Sequence, residues 1–157
     1  GFSKTYSMSG WRLGYGIVPK PLAERLAILL VHAVGCTADF TQVAGIAALE
    51  GVQSQPEKMR IEYKNRRDKT VEALNKIPGV TCDIPQGAFY VFPNISSFKR
   101  PSREIAEYLL NALGVSLLPG TNFGERGEGF LRISYATEWP LIKQGIDRIK
   151  KGLSSLT

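Results

Sequence analysis

The sequence predicts an α/β fold, and three observations carry that prediction. From about residue 78 onward, strand-like and helix-like segments alternate. Two of the helical segments keep their apolar residues on one stripe, at a period of about 3.6. The composition is ordinary for a globular protein: 157 residues, 43% hydrophobic and 22% charged. A chain of that length buries roughly two-thirds of the surface it exposes when unfolded.

The elements follow in order. Residues 12–18 read as a glycine-containing strand stopped by Pro19. Pro21 opens a helix with Leu22, Leu26, Leu29, Leu30 and Ala33 at apolar positions, ended by Gly35. Thr37 or Asp39 caps a second helix running to Glu50, with Gly51 as its stop. A third helix starts at Pro56, suited to the first helical position, and runs to about Lys76. Pro78-Gly79 is a turn, residues 80–82 a short strand, and residues 87–93 a β-rich run. Residues 102–113 form an amphipathic helix on Ile105, Tyr108, Leu109, Ala112 and Leu113, closed by Gly114. Strands are expected at residues 115–118 and 130–135. The last helix aligns Ile142, Ile146, Ile149, Leu153 and Leu156. The single strand near the start cannot satisfy its own edges, so residues 1–50 are expected to belong to a larger sheet lying upstream. The sequence opens Gly1-Phe2-Ser3-Lys4 with no Met and no signal peptide, as expected of a truncated, processed or incompletely represented chain.

Composition also excludes some functions. No run approaches the ~18 apolar residues of a membrane helix, and His32 interrupts the longest one. Twenty Lys and Arg against fourteen Asp and Glu leave a charge of +6, which suits nucleic acid, a membrane surface or an anionic substrate. The charges are dispersed. The densest cluster, residues 64–69, lies among Glu62, Asp68 and Glu72 and reads as a solvated helix face, so neither a nucleic-acid nor a membrane partner is expected. Cys36 and Cys82 lie far apart and read as two buried free thiols in a reducing, cytoplasmic compartment. His32, the only histidine, has no second ligand at metal spacing and reads as a core or interface residue; no metal is expected. Gly124, Gly127 and Gly129 loosely match a nucleotide-binding glycine pattern, but they precede a strand instead of following one.

The chemistry concentrates in the first fourteen residues. Lys4 stands eight residues before Arg12, with small residues and glycines around both. A lysine amine can form a Schiff base with an aldehyde, and a guanidinium can hold a phosphate dianion bidentately. Small residues let backbone approach a ligand closely. Lys4 and Arg12 alone are better served by a glycine-rich turn with two exposed cations. Arg132 is notable independently. Strand alternation puts it on one face with Phe130 and Ser134, opposite Leu131, Ile133 and Tyr135. A charge in such surroundings calls for a partner, either an anionic ligand or a structural ion pair.

The full pattern, Ser3-Lys4 followed by Gly10-Trp11-Arg12-Leu13-Gly14, resembles the pyridoxal-phosphate attachment signature of class I/II aminotransferases, the aspartate aminotransferase-like family of fold type I. The resemblance runs on in order. Thr37-Ala38-Asp39-Phe40-Thr41-Gln42 looks like the family's helix start that approaches a partner subunit's site. Gly87-Ala88-Phe89-Tyr90-Val91-Phe92-Pro93 looks like its small-domain β segment. Leu118-Pro119-Gly120-Thr121-Asn122-Phe123-Gly124 looks like its Pro-Gly loop. Phe130-Leu131-Arg132-Ile133-Ser134-Tyr135 looks like the strand whose arginine binds the substrate α-carboxylate.

The resemblance implies that Lys4 carries pyridoxal 5'-phosphate and is catalytic, that Arg12 binds the cofactor phosphate, and that Arg132 binds substrate. Gly1 stands where many members have a phosphate-contacting serine, so no such role is assigned there. The implied architecture is the C-terminal end of a large domain at 1–50, a connecting helix at 51–76 and the small α/β domain at 77–157. A complete member is roughly two and a half times longer, more than one ordinary domain. The Asp that pairs with the pyridine nitrogen has no match here. The expected function is part of an aminotransferase acting on an amino acid and a 2-oxo acid, homodimeric when complete, with the isolated chain inactive. A lyase or synthase of the same fold, like aminocyclopropane-carboxylate synthase, and an aminotransferase-like effector-binding region of a transcription regulator are the alternatives. Dicarboxylic, aromatic and broad 2-oxoglutarate-linked substrates all stay open.

Overall fold

A computed structural model describes residues 1–156. They divide into two compact units, Gly1–Met59 and Arg60–Thr157, with the boundary inside one long helix.

In the first unit, a one-turn helix α1 (Phe2–Thr5) opens the chain, followed by α2 (Lys20–Ala33) and α3 (Asp39–Glu50). The strand expected at residues 12–18 does not form. The reason is physical: extended backbone becomes a strand only beside another strand, and here Leu13 O is taken by Phe2 N–H and Pro19 O by the first turn of α2. Both α2 and α3 form as expected, but α3 is capped differently. Ala38 is its N-cap and makes no side-chain bond, so neither Thr37 nor Asp39 caps it. The Gln42 side chain instead donates to Thr37 O at 2.8 Å. No residue of α2 is buried, although its sequence is apolar. His32 lies exposed in its last turn, so it is no core residue, and Cys36 is exposed, so only Cys82 is a buried thiol.

The helix α4 (Ser54–Asn75) begins two residues before Pro56. That proline still falls within the first turn, where no intrahelical N–H donor is required. Beyond it lies the second unit, whose core joins Val71 and Leu74 of α4 to α5 (Ser102–Leu113), α6 (Trp139–Ser154) and a small sheet. Ile105 and Leu109 of α5 and Ile146, Ile149 and Leu153 of α6 are all buried, as the stripes require. Gly114 ends α5 in the left-handed conformation, φ 64°, and the N–H groups of Gly114 and Val115 close on Leu110 O and Leu109 O.

The sheet has three antiparallel strands in the order β1-β3-β2: β1 (Tyr90–Val91), β2 (Leu118–Pro119) and β3 (Leu131–Ser134). Tyr90 pairs with Ser134, and Leu118 with Arg132. All three strands are shorter than their sequence patterns. Pro93 has no N–H to continue β1, and Ala88 sits at φ 62° before it. The backbone of residues 114–115 is spent on ending α5, so β2 starts only at Leu118. Residues 80–82 form no strand either. Thr81 bridges Asn94, while the Asn75 side chain takes both backbone groups of Cys82, at 2.8 and 2.9 Å, in place of a neighbouring strand. Among the described residues no helix is long and apolar enough to cross a membrane.

Candidate active site

Residues 1–13 wind into a closed loop. Phe2 N–H donates to Leu13 O at 3.4 Å and ties the two ends together. Within it, the Tyr6 and Met8 N–H groups both reach Phe2 O, and Trp11 N–H reaches Met8 O. Phe2 and Met8 are buried and hold the loop from inside. Gly45 of α3 supports it from outside: a Cβ there would run into the Leu13 side chain and touch the Phe2 ring. A helix that buries a glycine and Thr41 therefore makes room for the loop.

The closed loop brings Lys4 and Arg12 onto one short piece of backbone. Lys4 lies exposed on α1, two residues after the tie point; Arg12 lies exposed, one residue before it. Arg12 takes φ 54°, ψ 42°, and its Nη1 donates to Ser9 O at 2.9 Å. Ser7 is also left-handed, at φ 55°. Such backbone costs on the order of 1 kcal/mol at each residue that is not glycine, and it persists where its surroundings over-determine it. An amine and a guanidinium on one short loop suit a ligand that carries both an aldehyde and a phosphate. Trp11 and Tyr15 are largely exposed; each meets a neighbouring ring edge-on, Phe40 and Phe2 respectively.

Arg132 belongs to the other unit, on the central strand β3. It has no ion pair among the described residues. Its guanidinium carbon lies 4.3 Å from the Tyr90 ring centroid and 4.0 Å from that of Phe123. Tyr90 comes from β1, on one side of β3, and Phe123 from the turn after β2, on the other. The sequence reading anticipated an anion or an acidic partner and missed these two rings. The available signal was Tyr90 in the β-rich run 87–93 and Phe123 in the loop after the strand expected at 115–118. Phe123 is delivered by two short 3-10 turns, Gly120–Phe123 and Glu125–Gly127. These cross so closely that a Cβ on Gly120 would strike Gly127 O, and one on Gly127 would strike Gly120 O. The glycines of this loop thus serve a backbone crossing and precede a strand, so they form no nucleotide loop.

The remaining electrostatics stabilise this frame. Glu128 accepts hydrogen bonds from Ser102 N–H at 2.7 Å and Gly129 N–H at 2.9 Å, and from the Ser102 hydroxyl at 3.2 Å. The Ser102 backbone N–H is the main cause of its lowered pKa. Burial pushes the Cys82 thiol up to about 11, so it stays protonated and unreactive at neutral pH. Burial also raises Tyr135, whose hydroxyl donates to Ala88 O at 2.9 Å. Among the described residues no group of three or more His, Cys, Asp or Glu gathers to hold a metal.

Known proteins share this arrangement over nearly the whole chain. The family profile described as aminotransferase class I and II matches residues 1–149. An aspartate aminotransferase of Pyrococcus horikoshii is 43% identical over 154 residues, covering 97% of this chain and 39% of the relative. An aromatic-amino-acid aminotransferase of Thermococcus litoralis is 38% identical over 98% of this chain and 40% of its own length. The crystal structure of an aromatic aminotransferase from Pyrococcus horikoshii superposes with a TM-score of 0.95 at 37% identity, covering all of this chain and 43% of that one. The chain therefore spans about two-fifths of the length of the curated relatives it matches. With one profile covering Lys4, Arg12 and Arg132 alike, and with the same α/β backbone in the solved relatives, the chain belongs to the class I and II aminotransferase family.

Proposed function

We propose that this chain supplies the cofactor lysine, the phosphate-binding arginine and the carboxylate-binding arginine of a pyridoxal-phosphate-dependent aminotransferase. The observation that carries this reading is the Phe2 to Leu13 tie, which sets Lys4 and Arg12 on one closed loop. Residues 1–50 are the end of the larger domain, 51–76 a connecting helix, and 77–157 the smaller domain. The substrates are an amino acid and a 2-oxo acid, and the complete protein acts as a homodimer in the cytoplasm.

Lys4 would hold the cofactor through Nζ, and Arg12 its phosphate. When bound, pyridoxal phosphate supplies an electron sink for charge developing at the amino acid Cα. Once the substrate amine has taken its place, the freed Lys4 Nζ would accept the Cα proton and deliver it to the carbon that bore the cofactor aldehyde, the general acid–base work for which a positioned amine is suited. Arg12 fixes one end of the site by charge and by its planar donors. Arg132 orients the substrate through its α-carboxylate, so binding energy goes into alignment of the Cα–H bond. The relatives named above carry aminotransferase names, which favours amino-group transfer over the lyase alternative.

The test is covalent trapping. The purified chain is mixed with pyridoxal phosphate, reduced with borohydride, and the modified lysine mapped by mass spectrometry. Selective labelling of Lys4 over the other lysines is expected. Labelling spread evenly over surface lysines would overturn the assignment.

A further inference from the structure

We infer that Tyr90 and Phe123 are positioning residues for Arg132: their two rings hold the guanidinium without neutralising it and leave its N–H donors to a carboxylate. The inference rests on the proposed role of Arg132 in binding a substrate carboxylate, and it adds two residues to which no role has been given.

Three arginines are half-buried among the described residues: Arg66, Arg67 and Arg132. The first two are spent on structure. Arg66 pairs with Glu62 and donates to Ala136 O and Thr137 O; Arg67 pairs with Asp68 and donates to Pro85 O. Arg132 makes no such bond. Its recorded partners are the Tyr90 and Phe123 rings alone, at 4.3 and 4.0 Å. A half-buried guanidinium with no acceptor is costly unless something replaces its lost water. The rings replace it in part, because a guanidinium is weakly hydrated and the π cloud of each ring is negative. Neither ring offers a charged acceptor, so the N–H donors stay available to a carboxylate, which a guanidinium binds bidentately.

The rings are themselves held. Tyr90 is fixed by its β1 pairing with Ser134 and packs on Phe89 at 4.6 Å. Phe123 is carried on the turn that the Gly120–Gly127 crossing locks, and meets Phe92 edge-on at 6.3 Å. Phe123 nevertheless stays 48% exposed, so its position serves Arg132 more than the core. An acidic partner would have neutralised Arg132 and competed with any ligand. Two rings orient it and leave its charge intact.

The experiment uses the full chain with arginine side chains labelled for NMR and pyruvate as the carboxylate probe, with chloride at matched ionic strength as the control. In the unsubstituted chain the Arg132 Nε–H proton is expected upfield from ring currents and is expected to move selectively with pyruvate. Phe123→Leu and Tyr90→Leu are each expected to lose the upfield shift and to weaken pyruvate binding about fivefold, the scale of a partly exposed cation–π contact. Phe123→Tyr and Tyr90→Phe are expected to restore both, which a packing defect would not allow to track ring identity. Pyruvate binding unchanged in both leucine variants would overturn the positioning role. An upfield Arg132 proton that ignores pyruvate would instead overturn the carboxylate reading beneath it, so the two failures are told apart.

Discussion

Glu128 ties two distant points of the chain with one carboxylate, accepting from the first N–H of α5 and from its own neighbour Gly129. A negative charge at a helix N-terminus satisfies an orphan donor and complements the helix dipole. Its folded pKa is lowered, so its contribution is complete above the ordinary glutamate value of about 4.3 and is lost as pH falls through the lower folded value. Glu128→Gln is therefore expected to lower the urea midpoint at pH 7, with the gap to the unsubstituted chain narrowing toward pH 3. A gap independent of pH would assign the effect to shape instead of charge. None of this was legible in the sequence, because Ser102 and Glu128 lie 26 residues apart and only the fold joins them. Lys4, Arg12 and Arg132, for which we propose cofactor and substrate roles, stood out in the sequence because each sits in a local pattern that needs no tertiary contact to be noticed. The rings beside Arg132 were not, since cross-strand register decides which aromatic residues reach it.

At the scale of elements, helices were read more faithfully than strands. The span of α5 matches its apolar period, and α6 buries the residues its stripe places inward, since the 3.6-residue repeat is set by local backbone alone. Strands need partners, and residues 12–18 have none here, while Asn75 stands in for one beside Cys82. The Gly120–Gly127 crossing gives this scale its test. Gly120→Ala places a methyl against a backbone carbonyl that cannot swing aside, and is expected to cost about 1–3 kcal/mol in equilibrium unfolding. Gly145→Ala, in α6 with nothing within 4 Å of the new carbon, is expected to be neutral or to gain up to about 1 kcal/mol. Equal effects from the two substitutions would contradict the crossing as the constraint that seats Phe123.

The whole molecule shows two kinds of packing. The unit Arg60–Thr157 encloses one continuous core, as its alternating pattern led us to expect. The unit Gly1–Met59 leaves Ile17, Val31, Val34 and Phe40 between 65% and 91% exposed. Its helices were read correctly, and periodicity alone says nothing about whether a covering element is present. Family membership was legible because ordered motifs span both units. Substrate choice was not, because the roles we propose for Lys4 and Arg132 concern only the amine and the α-carboxylate common to every amino acid.

The most direct measurement compares pyridoxal phosphate with pyridoxal, its phosphate-free analogue, in borohydride trapping at Lys4 of the unsubstituted chain and of Arg12→Ala. If one loop holds the aldehyde through Lys4 and the phosphate through Arg12, the phosphorylated aldehyde labels Lys4 at lower concentration than pyridoxal does, and Arg12→Ala abolishes that advantage. Equal labelling of Lys4 by the two aldehydes, with no change in Arg12→Ala, would contradict the assignment of this loop as the cofactor site.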